Sequence, residues 1–311
     1  MAHVTFIHGI ANKPPASDLL RIWRRTLADA ADPLPLGELG VTSSLVYWAD
    51  LMYEKPDEDL AAHEGVLENT PEAVDAGGDA SAPHARSAEE AEFIEGLRAK
   101  MTTRSDAELE SGELPPIPAH PTGQLERVPL PWFLKKRILD TFLRDVHHYL
   151  FDVTFAPAGR EPVPIQQTIR ARFVAALGDA AVSRPHIVVS HSMGTVIAYD
   201  CLKRVDDCVP VDGLITLGSP LGLDEIQDKL QPGWSSADGF PGQVTGEWVN
   251  FFDRLDPVCG FDPQLANDYM KGGGPAVDDV VVHNDGAWRH SATKYLRQKG
   301  FCQALRRMLL G

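Results

Sequence analysis

Six short apolar runs, most of them continuous rather than alternating, recur along this chain of 311 residues. They read HVTFIHG, SSLVYWAD, HIVVSHS, DGLITLGSP, EWVNFFD and DDVVVHN. Continuous runs of this length are typical of parallel strands that are covered on both faces. Helical patterns lie between them, namely SDLLRIWRRTLADA, IQQTIRARFVAAL, MGTVIAYDCLKRV and a last one over residues 291–310. This alternation predicts an α/β fold with a doubly wound, mostly parallel central sheet of about six strands and flanking helices.

The second and third predicted strands are more than a hundred residues apart, which is far beyond an ordinary connection between a strand and a helix. The sequence therefore predicts a core built from residues 1–53 and 161–311, with an insertion at 54–160. The first part of the insertion is acidic, since residues 57–113 hold 16 acidic and 4 basic side chains. We expect a flexible segment there, with one helix at SAEEAEFIEGLRAKM.

A second helix is predicted in the insertion near residues 132–151. Apolar side chains recur there on one helical face, and they include Ile138, Phe142, Leu143 and Val146. Such a stripe indicates either a helix packed on the core or a lid over an apolar site. The sequence leaves both interpretations open.

Charge and cysteine spacing exclude several classes of function. The 29 Lys and Arg residues stand against 44 Asp and Glu residues, a net charge of −15, which repels nucleic acid and anionic lipid surfaces. The four cysteines show no Cys-x-x-Cys spacing, so neither a zinc site nor a disulfide framework is predicted. The chain shows no signal-peptide pattern and no apolar stretch of membrane-spanning length. We expect a cytoplasmic protein without a membrane span, and its oligomeric state stays open.

The segment HIVVSHSMGTV places a serine on a sharp turn between a buried strand and a helix. Ser192 is the central residue of a pattern close to Gly-x-Ser-x-Gly, with Gly194 at the second glycine position and Ser190 in place of the first. The position of Ser190 requires a small side chain because the strand and the helix approach each other closely. Centring the pattern on Ser190 would require glycines where Val188 and Ser192 stand, so Ser192 is the predicted nucleophile.

A serine nucleophile needs a base, and the base needs an acid that orients it. Asp256 follows the strand EWVNFF in a loop and is the predicted acid, with Asp253 at the strand edge as the alternative. Two histidines follow the last strand. His290, at the start of a helix, is the predicted base, and His283 at the strand end is the alternative.

Acyl transfer also needs donors for the oxygen that becomes negative. The backbone N–H of Met193 follows the nucleophile at a helix N-terminus and is one candidate. The N–H of Ile10, in the loop FIHGIANKP after the first strand, is the other. We expect His8 to hold that loop by hydrogen bonding, and a role as a third base is the alternative.

The motifs at residues 4–10, 186–204, 247–258 and 279–296 together resemble the α/β-hydrolase superfamily in its serine esterase and lipase branch. HGI and HSMG are similar to those of lipase-like and GPI-inositol-deacylase-like hydrolases, although the membrane spans of the latter are absent. The resemblance implies the order Ser192, Asp256, His290, a reaction through an acyl-enzyme, no cofactor and no metal. The predicted function is hydrolysis of a small-molecule or lipid carboxylic ester. An acyltransferase with the same triad and a non-catalytic binding protein of this fold are the alternatives.

Overall fold

A computed structural model describes four stretches of the chain, which are residues 1–64, 82–111, 132–285 and 288–311. Within them, side chains are described for all residues except 64, 102–111 and 132–135. Residues 65–81 and 112–131 of the predicted insertion, which include part of its acidic segment, lie outside the described residues.

Eight strands and ten α-helices are formed by the described residues. The strands are β1 His3–Ile7, β2 Thr42–Val46, β3 Thr154–Phe155, β4 Val163–Pro164, β5 His186–His191, β6 Val211–Leu217, β7 Val244–Phe252 and β8 Val277–Val281. The helices are α1 Ala16–Ala28, α2 Ala49–Met52, α3 Leu60–Glu64, α4 Ala88–Ser111, α5 Trp132–Leu150, α6 Ile165–Asp179, α7 Met193–Arg204, α8 Asp224–Leu230, α9 Ala292–Leu296 and α10 Lys299–Leu310.

Six strands form one sheet in the order β2-β1-β5-β6-β7-β8, and all five pairings are parallel. Each of the six apolar runs identified in the sequence is one of these strands. β3 and β4 form a separate two-stranded antiparallel pair. The predicted doubly wound, mostly parallel sheet of about six strands is confirmed, and the arrangement is that of the α/β-hydrolase fold.

Two apolar clusters cover the two faces of the sheet. Successive residues of a strand point to opposite faces, so in β5 Val188 joins one cluster while Ile187 and Val189 join the other. The Val188 cluster includes residues of α4, α5, α6, α7 and α8. The opposite cluster includes residues of α1, α9 and α10. Helices on both faces explain why most of the strands are apolar along their length. The carboxyl ends of the strands are not covered by these helices and can carry a site.

α5, which lies in the predicted insertion, packs into the main core. Phe142, Leu143, Val146 and Tyr149 have no exposed surface and belong to the same cluster as Ile7 of β1. The amphipathic stripe therefore faces the protein interior in the part of α5 whose side chains are described. The boundaries of the insertion, and a lid role for residues 130–151, stay predictions.

The last helical pattern is divided into two helices, whereas the sequence suggested a single one over residues 291–310. Gln298 has an extended backbone between α9 and α10, and its side-chain amide donates to the His283 carbonyl and to Asn284 Oδ1, both at 2.9 Å. The break lets α9 and α10 orient independently, so that Tyr295 reaches the carboxyl edge of the sheet. Among the described helices, none combines the length and apolar character needed to cross a membrane.

Candidate active site

The side chains singled out from the sequence lie on loops at the carboxyl edge of the sheet. Ile7, His191, Phe252 and Val281 are the last residues of β1, β5, β7 and β8. Parallel strands end at the same edge, so loops that are distant in sequence meet there. These loops carry His8, Gly9, Ile10, Ser192, Asp256 and His290.

Ser192 occupies a strained turn between β5 and α7. Its φ of 55° and ψ of −131° lie in a region that is unfavourable for a residue with a side chain. Two backbone hydrogen bonds hold this conformation. The Ser192 N–H donates to the Leu217 carbonyl at 2.9 Å, and the Ser192 carbonyl accepts from the Thr195 N–H at 2.9 Å. β6 and the first turn of α7 thus impose the turn.

The two positions that flank the serine explain the incomplete glycine pattern. A Cβ atom at Gly194 would lie 2.6 Å from the His8 carbonyl oxygen, so that position requires glycine because α7 begins against the end of β1. Ser190 instead points toward the neighbouring strand, where its buried Oγ donates to the Ile215 carbonyl at 3.1 Å. The site therefore accommodates a small side chain at residue 190.

Asp256 and His290 form a buried hydrogen-bonded pair. His290 Nδ1 lies 2.8 Å from Asp256 Oδ2, and both side chains are almost fully buried. Because an ionised carboxylate only accepts hydrogen bonds, Nδ1 carries a proton. In the neutral ring the other nitrogen, Nε2, is then the basic one. This is the tautomer that a general base needs.

The pair is packed against the end of β6. Gly218 has a φ of 55°, and a Cβ atom there would lie 3.0 Å from Asp256 Oδ2 and 3.2 Å from His290 Nδ1. Only glycine satisfies both the backbone conformation and the close approach. Leu217, the residue before it, accepts the hydrogen bond from Ser192. The Asp-His pair and the strained serine therefore contact adjacent residues of β6 and its loop.

Tyr295 of α9 is a second donor to the acid, and sequence reasoning missed it. Its hydroxyl donates to Asp256 Oδ2 at 2.6 Å and accepts from the Asp253 N–H at 3.1 Å. Burial by itself would raise the pKa of Asp256, but the charge of His290 and hydrogen bonds from His290, Tyr295 and the Val258 N–H outweigh it and lower that pKa. Asp256 is thus stabilised as an anion. No sequence signal marks Tyr295, since its role depends on the break between α9 and α10.

The alternative acid and base lie elsewhere. Asp253 Oδ1 accepts from the Leu255 N–H at 2.8 Å, and its Oδ2 accepts from the Asn284 N–H at 2.7 Å and from Arg289 at 3.1 Å. Asp253 therefore organises the loop that leads to His290. The His283 side chain is exposed. Neither residue joins the buried Asp-His pair.

His191, the residue before the serine, contacts the predicted base. Its Nε2 donates to the His290 carbonyl at 2.9 Å, and the two rings lie 4.7 Å apart. Burial lowers the pKa of His191 well below its ordinary value, so the ring is neutral. The indole of Trp288 packs edge-on against the His290 ring, with the ring centres 5.7 Å apart. Both aromatic neighbours restrict where the imidazole can lie.

The loop after β1 passes directly over the serine. A Cβ atom at Gly9 would lie 2.4 Å from Ser192 Cβ and 3.0 Å from Ser192 Oγ. His8 Nδ1 donates to the Gly9 carbonyl at 2.8 Å, while its Nε2 accepts from the Trp48 N–H at 3.0 Å. Both ring nitrogens are thereby occupied, and burial lowers the pKa of His8 well below its ordinary value. His8 has the structural role that was expected of it.

The same contacts orient the next peptide. The carbonyl and the N–H of one trans peptide point in opposite directions. The Gly9 carbonyl is turned toward His8, whose ring stacks on Trp48 at 4.7 Å, and the Ile10 N–H belongs to the same peptide. β1 lies between β2 and β5 in the sheet. The N–H of Met193 lies in the first turn of α7, where amides have no partner within the helix.

Six buried polar side-chain atoms have no hydrogen-bond partner among the described residues, and two of the six, Ser192 Oγ and His290 Nε2, belong to this site. Unpaired buried polar groups are costly. Hydrogen bonds between a nucleophile and its base are often long or poorly aligned before substrate binds.

No family model matches the chain, and no curated protein does. Two of the solved structures that match the chain are described here. A protein described as a YdeN-like hydrolase from Pectobacterium atrosepticum is 17% identical over 45% of this chain and 68% of its own, with a TM-score of 0.29. Acetyl xylan esterase 1 from Thermoanaerobacterium sp. is 11% identical over 100% of this chain and 74% of its own, with a TM-score of 0.33. Similarity this distant does not assign an activity to the chain.

Proposed function

We propose that this protein is a serine hydrolase that cleaves carboxylic esters through an acyl-enzyme, with Ser192 as nucleophile, His290 as base and Asp256 as orienting acid. The observation that carries the proposal is the buried 2.8 Å contact between His290 Nδ1 and Asp256 Oδ2. That contact leaves His290 Nε2 as an unpartnered base in the site that holds the strained serine.

In the first half of the reaction, His290 Nε2 takes the proton of Ser192 Oγ while the oxygen attacks the ester carbonyl. The negative oxygen that forms would be stabilised by the N–H groups of Ile10 and Met193. When the intermediate collapses, the bond to the alcohol breaks and His290 gives its proton to the leaving oxygen. The acyl group is then attached to Ser192.

In the second half, His290 deprotonates a water molecule that attacks the acyl carbonyl, and the carboxylic acid leaves as Ser192 recovers its proton. Asp256 stays ionised throughout and stabilises the imidazolium that forms twice per cycle. The depressed pKa of Asp256 suits this role, because the carboxylate remains charged when His290 becomes positive.

Labelling with a fluorophosphonate probe and hydrolysis of chromogenic esters test the proposal together. The unchanged protein should be labelled on Ser192 and should release the chromophore, whereas Ser192→Ala should do neither. His290→Ala should lower kcat by at least about a thousandfold, as expected for residues that act as a unit. The matched variant His283→Ala removes an exposed histidine and should leave kcat within a few-fold.

Absence of labelling in the folded, unchanged protein would contradict the proposal and favour a non-catalytic binding role. Labelling with the opposite ranking of the two histidine variants would reassign the base. Product analysis with an added alcohol separates the hydrolase from an acyltransferase, since only the latter would form the new ester as its main product.

A further inference from the structure

The peptide between Ile10 and Ala11 is held at both of its polar groups by charged side chains. The Ile10 carbonyl accepts a hydrogen bond from Lys13 Nζ, and the Ala11 N–H donates to Asp145 Oδ2 at 3.0 Å. Ala11 has a φ of 69°, a left-handed conformation that costs free energy for alanine. The loop therefore keeps this shape because Lys13, further along the loop, and Asp145 hold it.

Lys13 holds the inner side of the loop with three hydrogen bonds. Besides the Ile10 carbonyl, its ammonium donates to the carbonyls of Ala11 at 3.2 Å and Asn12 at 3.1 Å. Three consecutive carbonyls are thus turned toward one cation. An ammonium has three protons to donate, so this contact uses its full capacity.

The backbone of Lys13 is anchored as well. Its carbonyl accepts from the Tyr47 hydroxyl at 3.1 Å and from the Asp57 N–H at 2.9 Å. Burial lowers the pKa of Lys13 to about 8, while the charges of Asp145 and Asp57 oppose that effect. The side chain consequently remains a cation at neutral pH.

Asp145 connects the loop to α5, more than a hundred residues away in sequence. Its side chain is fully buried, and its Oδ1 accepts from Arg144 Nε at 3.0 Å and Arg144 Nη2 at 2.8 Å. Arg144 also donates to the Tyr53 hydroxyl. The carboxylate is therefore fixed in place, and its remaining oxygen is directed at the Ala11 N–H.

We propose that Lys13 and Asp145 are positioning residues that fix the Ile10–Ala11 peptide and thereby hold the N–H of Ile10 toward Ser192. This inference rests on the proposed function. His8 binds the Gly9 carbonyl, and Lys13 and Asp145 fix the peptide that follows. The peptide that carries the Ile10 N–H is thus held at its own carbonyl and is followed by an immobilised peptide. Donors that are fixed before reaction stabilise a developing oxyanion most effectively.

The test compares Lys13→Met and Asp145→Asn with the control Asp140→Asn. Asp140 also lies on α5 and forms an ion pair with Arg98 at 3.1 Å, so its variant loses a similar interaction away from the loop. Melting temperature, kcat and KM are measured for a short-chain chromogenic ester, and each protein is treated with the fluorophosphonate probe. Lys13→Met and Asp145→Asn should lower kcat by about 10- to 100-fold, with KM within about twofold.

A merely structural role would lower melting temperature and active fraction without changing kcat per labelled serine. Equal kcat values per labelled serine in Lys13→Met and Asp140→Asn would therefore overturn the inference while leaving the proposed function intact. If Asp145→Asn does not fold, Lys13→Met alone tests the inference, because methionine keeps the apolar part of the side chain and removes the ammonium. If the unchanged protein neither labels nor hydrolyses, the proposed function fails and this inference fails with it.

Discussion

Replacing Gly9 with alanine tests the predicted geometry around Ser192 with a single methyl group. The new Cβ would lie 2.4 Å from Ser192 Cβ and 3.0 Å from Ser192 Oγ, whereas carbon atoms pack at about 3.5 to 4.0 Å. The loop or the serine would have to move by about 1 Å to restore that separation. Gly9 does not have a positive φ, so alanine is compatible with its backbone and the clash alone drives the change.

A shift of about 1 Å at a reacting group costs about a hundredfold in rate, so we expect Gly9→Ala to lower kcat for chromogenic esters by about two orders of magnitude. Gly178→Ala is the control. It adds the same methyl group in the last turn of α6, where no heavy atom lies within 4 Å of the new Cβ. It should keep kcat and stabilise the protein by about 0.5–1 kcal/mol. Near-normal kcat in a folded Gly9→Ala protein would refute the placement of this loop beside a catalytic serine.

Three further variants test other parts of the structure. Ser190→Gly should retain activity but lose about 1–2 kcal/mol of stability in denaturant unfolding, because a buried hydrogen bond disappears and a strand gains a glycine. Tyr295→Phe removes a donor from Asp256 and should raise the pKa of that carboxyl. A depressed carboxyl pKa contributes stability that is lost as pH falls from the unfolded pKa through the folded one. The variant has a smaller contribution to lose, so melting curves recorded from about pH 6 to about pH 3 should show a smaller fall in its stability than in that of the unchanged protein. Phe142→Asp buries an unpaired charge and should cost at least about 3 kcal/mol. Its melting temperature should fall, with activity lost equally for short and longer acyl chains, whereas selective loss for longer chains would favour a lid.

The sheet could be predicted because most of its strands are nearly continuous in apolar residues. In β5 all six residues are buried, and such a strand fits only between two layers of helices. The points at which helices begin and end were less predictable. The segment over residues 291–310 has one helical pattern, but contacts of Gln298 with the β8–α9 loop break it. Tertiary hydrogen bonds of this kind leave no periodic signal.

The proximity of Asp256 and His290 could be predicted from the chain order, because strands of a parallel sheet deliver their loops to one edge. The neighbours that orient them could not. The sequence shows that His191 precedes the serine. Its hydrogen bond to the His290 carbonyl depends on how two loops pack against each other, which the sequence does not show. Tyr295 lies on a helix whose pattern indicates only burial. Its contact with Asp256 is a property of the packed structure.

α5 lies in the predicted insertion, and one of its side chains binds the loop beside Ser192. Neither the lid interpretation nor the core-helix interpretation included such a contact. The apolar face of α5, with Phe142 and Val146, packs in the same cluster as β1, and Asp145 between them binds the loop that follows β1. Both contacts are buried, so a shift of α5 would change core packing and the Ile10–Ala11 peptide together. Apolar substitutions on this helix should therefore lower stability and kcat in parallel. A substitution that changes only Asp145, or only Lys13, which holds the same peptide, separates the two effects, because the apolar contacts remain.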